Sequence, residues 1–203
     1  IVTIEDPIEY EVDGVNQVPV NEKAGLTFSR ALRSILRQDP DVILVGEIRD
    51  ADTAQTALHA AMTGHLVLST LHATDSVSAL LRLAELGAGR DVIASALIGI
   101  VAQRLVRLNC DLCAECEFPR PIYLHRLSIQ EDQQSRLRES KGCSHCKFSG
   151  SSGRMGLYEL LEIQGPLREK ILGGTEFDIR QIAKESGLST MTQQAVDLVL
   201  AGQ

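Results

Sequence analysis

Three groups of residues in this sequence have types and spacings suited to chemistry. The first is acidic: Glu5-Asp6-Pro7-Ile8-Glu9 packs three carboxylates into five residues. Such a cluster repels itself unless a cation or a base offsets it. Metal binding or general-base work is one reading, and a solvated loop is the other. The run Asp41-Val42-Ile43-Leu44-Val45-Gly46-Glu47 carries a further acid behind four apolar residues. A strand of that kind delivers Glu47 to its tip, where a carboxylate can hold Mg²⁺ through water or orient a water that attacks a phosphate. The second group is basic. His65 and His72 flank the run Leu66-Val67-Leu68-Ser69-Thr70, and Arg30, Arg33 and Arg37 share one flank of a helix by their spacing of three and four, with Arg49 just after Glu47. A histidine at a strand end can donate to a phosphate oxygen as charge builds. The arginines could meet acids or a phosphate of a neighbouring subunit, or simply form a solvated face. The third group is sulfur: Cys110-x-x-Cys113 and, after 29 intervening residues, Cys143-x-x-Cys146. Two such knuckles fit one tetrahedral, closed, structural zinc site, and metal binding can stabilise so polar a segment directly. Cys116 stands three residues after Cys113 and could replace Cys110; His145 is a weaker candidate.

These residues need elements to hold them. Ile1 to Ile4, within residues 1–6, Val42 to Val45 and Leu66 to Thr70 read as strands, and the apolar continuity of the second suits a strand covered on both faces. Phe28, Leu32, Ile35 and Leu36 recur at helical spacing behind Thr27 as a cap, and Pro40 ends that helix. An Ala-rich helix is expected over 52–62 with Asp52 as its cap and Gly64 as its stop, and another over 76–86 closed by Gly87. Residues 91–107 read as a longer apolar helix. Residues 11–25, with Gly14, Asn16, Pro19, Asn21 and Gly25, read as loop or hairpin. Strand–helix–strand–helix–strand over 1–75 predicts a parallel sheet with helical crossovers. The strands then end together at Glu5-Asp6, at Gly46-Glu47 and at Leu71-His72, along the edge where open α/β sheets bind ligands. His65 falls at the other end of its strand.

Three segments follow: 1–107 as the sheet domain, 108–150 as a polar, cysteine-bearing insert whose residues 128–141 look like an exposed helix or loop, and 151–203 as a small helical subdomain. The 44% of hydrophobic residues excludes a disordered chain. A net charge of −7 with 3% aromatics argues against nucleic acid as a partner. No apolar run approaches the length of a membrane span. Neither a signal peptide nor the phosphate-cradling pattern Gly-x-x-x-x-Gly-Lys-Ser/Thr occurs, and the opening Ile1-Val2-Thr3-Ile4 reads as the middle of a domain. The chain is therefore expected to be part of a longer protein and, by itself, to bind nucleotide poorly.

Taken jointly, several stretches resemble the type II secretion and type IV pilus assembly ATPases. They are Ile4-Glu5-Asp6-Pro7-Ile8-Glu9-Tyr10; Arg33-Ser34-Ile35-Leu36-Arg37-Gln38-Asp39-Pro40-Asp41; Val45-Gly46-Glu47-Ile48-Arg49-Asp50; and Thr63-Gly64-His65 through Thr70-Leu71-His72. Gln103-Arg104-Leu105-Val106-Arg107 and Gly153-Arg154-Met155-Gly156-Leu157-Tyr158-Glu159-Leu160-Leu161 are similar too. The resemblance implies a RecA-like motor domain that works as a cytoplasmic homo-hexamer, peripheral to the inner membrane and docked on secretion or pilus platform proteins, with ATP, Mg²⁺ and Zn²⁺. It places Glu5, Asp6 and Glu9 in the family's Asp box, Glu47 as its Walker B acid, His65 and His72 in its His box, and Cys110, Cys113, Cys143 and Cys146 in its tetracysteine motif, which points to the assembly branch. It also implies that the Walker A strand lies before Ile1. The alternative is a zinc-stabilised interaction module that docks to the platform without catalysis.

Overall fold

A computed structural model describes residues 1–116 and 137–202, together with 124, 127, 129, 130 and 133. The chain forms two compact units, Ile1–Ile100 with Leu161–Gly187 and Val101–Leu160 with Leu188–Gln203. These units cut across the three sequence segments.

The first unit is α/β, as expected. Strands β1 (Val2–Glu5), β2 (Asn16–Pro19), β3 (Val42–Val45) and β4 (Leu66–Ser69) make one sheet in the order β2-β1-β3-β4. All three pairings are parallel. Its register sets Val2 beside Ile43 and Ile4 beside Val45, so these four side chains point to one face. There they are buried against Phe28, Ala31, Leu32 and Ile35 of helix α1 (Phe28–Ile35) and Ala57 of helix α2 (Ala51–Met62). The side chain of Thr27 caps α1 at the N–H of Arg30, as its position suggests. Thr3, Glu5, Gln17, Leu44, Leu66 and Leu68 take the other face. That face is thinly covered toward β4, where Leu66 and Leu68 are 44% and 48% exposed.

Helices α3 (Ser76–Glu85), α4 (Arg90–Ala96), α5 (Gly165–Gly173) and α6 (Glu176–Glu185) complete this unit. Helix α4 packs on α2, α3 and α5, and α6 packs on α3 and α5. The N-cap of α3 is Asp75, which accepts from the N–H of Ser78 at 2.8 Å and from the Arg180 guanidinium of α6 at 3.2 Å. The Ser78 and Arg180 hydrogen bonds outweigh desolvation and hold the Asp75 carboxyl below the ordinary range.

In the second unit the long strands β5 (Gly99–Asn109) and β8 (Ser151–Glu162) pair with each other. The N–H of Cys110 meets Gly150 O at one end of the ribbon. Short antiparallel strands β6 (Ala114–Cys116) and β7 (Arg138–Ser140) frame the cysteines. Helix α7 (Met191–Leu200) sets Val196 among Leu124, Ile129 and Leu137. Gln194 of α7 takes both main-chain groups of Tyr158 in β8, accepting from its N–H and donating to its carbonyl.

Four expectations change. Residues 16–19 form a parallel edge strand rather than loop or hairpin; Pro19, which lacks an N–H, is tolerated because β2 has a neighbour on one side only. Helix α2 is capped by Asp50, whose carboxylate takes the N–H and hydroxyl of Thr53, and Asp52 sits inside the first turn. The expected helix over 91–107 stops at Ala96 and is followed by strand β5, in which Ala102 and Val106 are half-buried between exposed neighbours. The tail begins with β8 instead of a helix. Residues 128–141 lie mostly outside the described residues, and Arg138–Ser140 is β7.

Because Leu32 is fully buried and Leu68 is half exposed, urea unfolding of Leu32→Ala should show a loss of about 2–5 kcal/mol. Leu68→Ala should stay within about 0.5 kcal/mol. Similar losses for both would contradict this account of the core.

Candidate functional site

Gly46 decides how closely the tips of β1 and β3 approach. Its N–H donates to Ile4 O at 2.8 Å, and a Cβ on it would stand 3.0 Å from that oxygen and 3.5 Å from the Glu5 Cα. Any side chain there would push the tips that carry Glu5 and Glu47 apart. The β3–β4 pairing is extended past the strands in the same way. Ser69 Oγ donates to Val45 O at 2.7 Å, Thr70 Oγ1 to Gly46 O at 2.6 Å, and the Ile48 N–H to Thr70 O at 3.0 Å. Small hydroxyl residues and one glycine thus set three strand ends side by side.

Glu47 stands at the centre of this edge and is mostly buried. One carboxylate oxygen meets Arg49 Nη2 at 2.5 Å, and the other lies 3.5 Å from Nε2 of the exposed His72. The Glu47 hydrogen bond, helped by the charges of Asp6 and Glu22, raises the Arg49 pKa further. One arginine is therefore the local counter-charge to several acids, where a divalent cation would compete with it. Glu5 differs from its neighbours in the loop. Its Oε1 accepts from Gln17 Nε2 at 2.9 Å and from Thr3 Oγ1 at 2.5 Å. Those two bonds, Gln17 first, hold its carboxyl below the ordinary range against a smaller desolvation effect. An acid of depressed pKa is ionised at neutral pH and is a weak base; it orients water better than it abstracts a proton.

The remaining candidates divide. Asp6 and Glu9 are exposed on the loop beyond β1. His65 precedes β4, and its Nδ1 lies 3.0 Å from Ala60 O and 3.3 Å from Thr63 Oγ1. It therefore closes the end of α2, a strand's length (roughly 10 Å) from the edge that carries His72. The structure does not bring the two histidines together. Arg30 donates to Gly25 O at 2.8 Å near the start of α1, Arg33 pairs with Asp52, and Arg37 donates to Arg33 O at 3.0 Å. All three thus have partners within their own chain. Two residues that sequence reasoning passed over, Gln17 and Thr3, orient Glu5; only the β1–β2 register, which sets them opposite each other, could have revealed them.

The cysteines form a separate centre in the second unit. The sulfurs of Cys110, Cys113, Cys143 and Cys146 all lie within 4.8 Å of one another. Cys110–Cys143, Cys113–Cys146 and Cys143–Cys146 are each 3.9 Å apart. Tetrahedral Zn–S bonds of about 2.3 Å imply S–S separations of about 3.8 Å, so the donor set fits such an ion. Cys110 belongs to this cluster, whereas Cys116, exposed on β6, and His145 are outside it. The knuckle 143–146 is shaped by its backbone: the N–H of Cys143 reaches Cys146 Sγ at 3.1 Å, that of Phe148 reaches Cys143 O at 2.8 Å, and Lys147 and Phe148 adopt positive φ. Gly142, at φ 93°, has no room for a Cβ, which would lie 2.9 Å from Phe148 O. Desolvation pushes the Cys113 thiol up to about 12, and the Cys143 N–H pulls Cys146 down to about 6.

A family model described as "Type II/IV secretion system protein" matches residues 1–203. The chain belongs to that family. It is 46% identical to the type IV pilus assembly ATPase PilB of Thermus thermophilus over 98% of this chain and 23% of that protein. It is 45% identical to the type II secretion system protein E of Pectobacterium carotovorum over 100% of this chain and 40% of that one. The chain thus spans less than half the length of these relatives. The crystal structure of the pilus retraction motor PilT with bound ADP superposes on all of this chain and 49% of its own, at 32% identity and a TM-score of 0.69. That similarity agrees with the parallel sheet and helical crossovers of the first unit. Among the described residues no helix is long and apolar enough to cross a membrane.

Because the cluster uses four cysteines and leaves Cys116 out, titrating the reduced chain with Co²⁺ should give a tetrathiolate absorption spectrum that saturates at about one equivalent. Cys116→Ser should leave it unchanged and Cys143→Ser should abolish it. The reverse pattern would overturn this ligand set.

Proposed function

We propose that this chain supplies the catalytic edge of a motor ATPase that powers assembly of a type II secretion pseudopilus or a type IV pilus. The observation that carries this reading is Glu47, set between Arg49 and His72 on the edge shared with Glu5. Glu5, ionised and fixed in direction, positions the water that attacks the γ-phosphate. Glu47 and the Asp-box acids Asp6 and Glu9 are the oxygen donors suited to Mg²⁺, which neutralises phosphate charge when bound. His72, exposed beside Glu47, donates to the γ-phosphate as charge builds on it. Arg49 can leave Glu47 for a phosphate once a cation takes its place.

In this reading residues 1–107 belong to the motor domain, and the phosphate-cradling loop comes from a preceding segment of a longer protein. The half-exposed Leu66 and Leu68 on the open face of β4 are consistent with a further segment that covers that face. In a homo-hexamer Arg30 and Arg33 would exchange their present partners, Gly25 O and Asp52, for groups of a neighbouring subunit. Zn²⁺ holds residues 108–150 through Cys110, Cys113, Cys143 and Cys146. The assembly works in the cytoplasm, at the inner membrane, on platform proteins of the secretion or pilus machine.

In a protein that joins this chain to its nucleotide-binding segment, Glu47→Gln should lower kcat for ATP hydrolysis by about 10²-fold or more. Calorimetry on the 203-residue chain by itself should show no micromolar affinity for ATP. Undiminished turnover in Glu47→Gln would defeat the assignment of Glu47, and no turnover in the joined parent protein would favour an interaction module held together by its cysteines.

A further inference from the structure

We propose that Gln17 is a positioning residue for ATP hydrolysis, its side-chain amide locking Glu5 and the acidic loop after β1 into one unit. This rests on the reading of Glu5 as the residue that orients the attacking water. The register of β1 and β2 sets Gln17 opposite Thr3, on the face that also carries Glu5. From there the amide makes three of its four possible hydrogen bonds. Nε2 donates to Glu5 Oε1 and to Tyr10 O, both at 2.9 Å, and Oε1 accepts the N–H of Val12 at 2.8 Å. The assignment of oxygen and nitrogen is forced, because the flipped amide would face two acceptors with an acceptor and one donor with a donor.

Two consequences follow. Gln17 and Thr3 converge on the same oxygen of Glu5, which fixes the rotation of the carboxylate and leaves Oε2 for the reaction. Residues 6–14, which include Asp6 and Glu9, are exposed apart from the half-buried Ile8, so side-chain packing does little to hold that loop. The amide ties its backbone at Tyr10 and Val12 to the same carboxylate. No other side chain of this size does both: glutamate would set a second negative charge against Glu5, asparagine is one methylene short, and leucine makes none of the three bonds.

The test has a structural arm and a kinetic arm. In the 203-residue chain, carbon-detected NMR should show the Glu5 carboxyl of Gln17→Leu titrating higher than in the parent, with faster hydrogen exchange at the Val12 amide. Gln17→Glu should raise the Glu5 titration while keeping the Val12 amide protected. In the protein that includes the nucleotide-binding segment, Gln17→Leu should lower kcat about tenfold or more, with KM for ATP little changed. In a Glu5→Gln background the same substitution should cost little more, because its effect runs through Glu5. An unchanged Glu5 titration in Gln17→Leu, or a full further loss of kcat in the Glu5→Gln background, would overturn the proposal. Full turnover by Glu5→Gln alone would overturn the role of Glu5, and with it the catalytic role of Gln17, while the NMR arm would still report whether the amide holds the carboxylate.

Discussion

The parallel register of β1, β3 and β4 is the constraint on which the site depends. Setting Ile4 beside Val45 and Val45 beside Ser69 buries one apolar face and, by the same act, sets Glu5, Glu47 and the approach to His72 on one edge. A one-residue slip of any strand would turn its buried side chains outward and move its tip by a residue. Packing and chemistry are thus specified together. Ile43 and Val45 cannot leave the core without displacing Glu47, and Gly46 cannot gain a side chain without parting Glu5 from it.

Charge at that edge is arranged for exchange. Acids outnumber bases, and Arg49 is the cation bonded to Glu47. The pair joins an exposed arginine to a mostly buried carboxylate, and in the proposed function a divalent cation takes the place of that arginine. The Glu5 carboxylate is held differently, by neutral donors from Gln17 and Thr3. Those donors fix its direction without consuming its charge. The cysteine centre follows a third logic: four sulfurs closer together than four thiolates tolerate unless a cation binds them, beside the short strands β6 and β7.

What the sequence disclosed depended on how local each signal was. Helix α1 is written in its own residues, with Thr27 as cap and apolar positions at helical spacing, and β3 in a continuous apolar run. The clustered cysteines were legible from their paired spacing, although finding Cys110 rather than Cys116 in the cluster needed the fold. Strand β2 was hidden because Asn16-Gln17-Val18-Pro19 is polar and ends in proline, acceptable only at a sheet edge. Strand β5 was misread because the apolar residues from Val92 to Ala102 satisfy a helix or a strand. Gln17 acquires its role from a partner strand, so no window of sequence around it contains the signal. His65 and His72 look equivalent in a motif, yet β4 holds them at opposite ends.

The difference between those two histidines gives the most direct test that the shared strand edge is the working surface. ATP turnover should be measured for His72→Ala and His65→Ala in the protein that joins this chain to its nucleotide-binding segment. The account predicts that His72→Ala lowers kcat by about 10²-fold, whereas His65→Ala lowers the melting temperature and leaves kcat within a small factor of the parent. A loss of kcat in His65→Ala equal to or larger than that in His72→Ala, with stability unchanged, would contradict it.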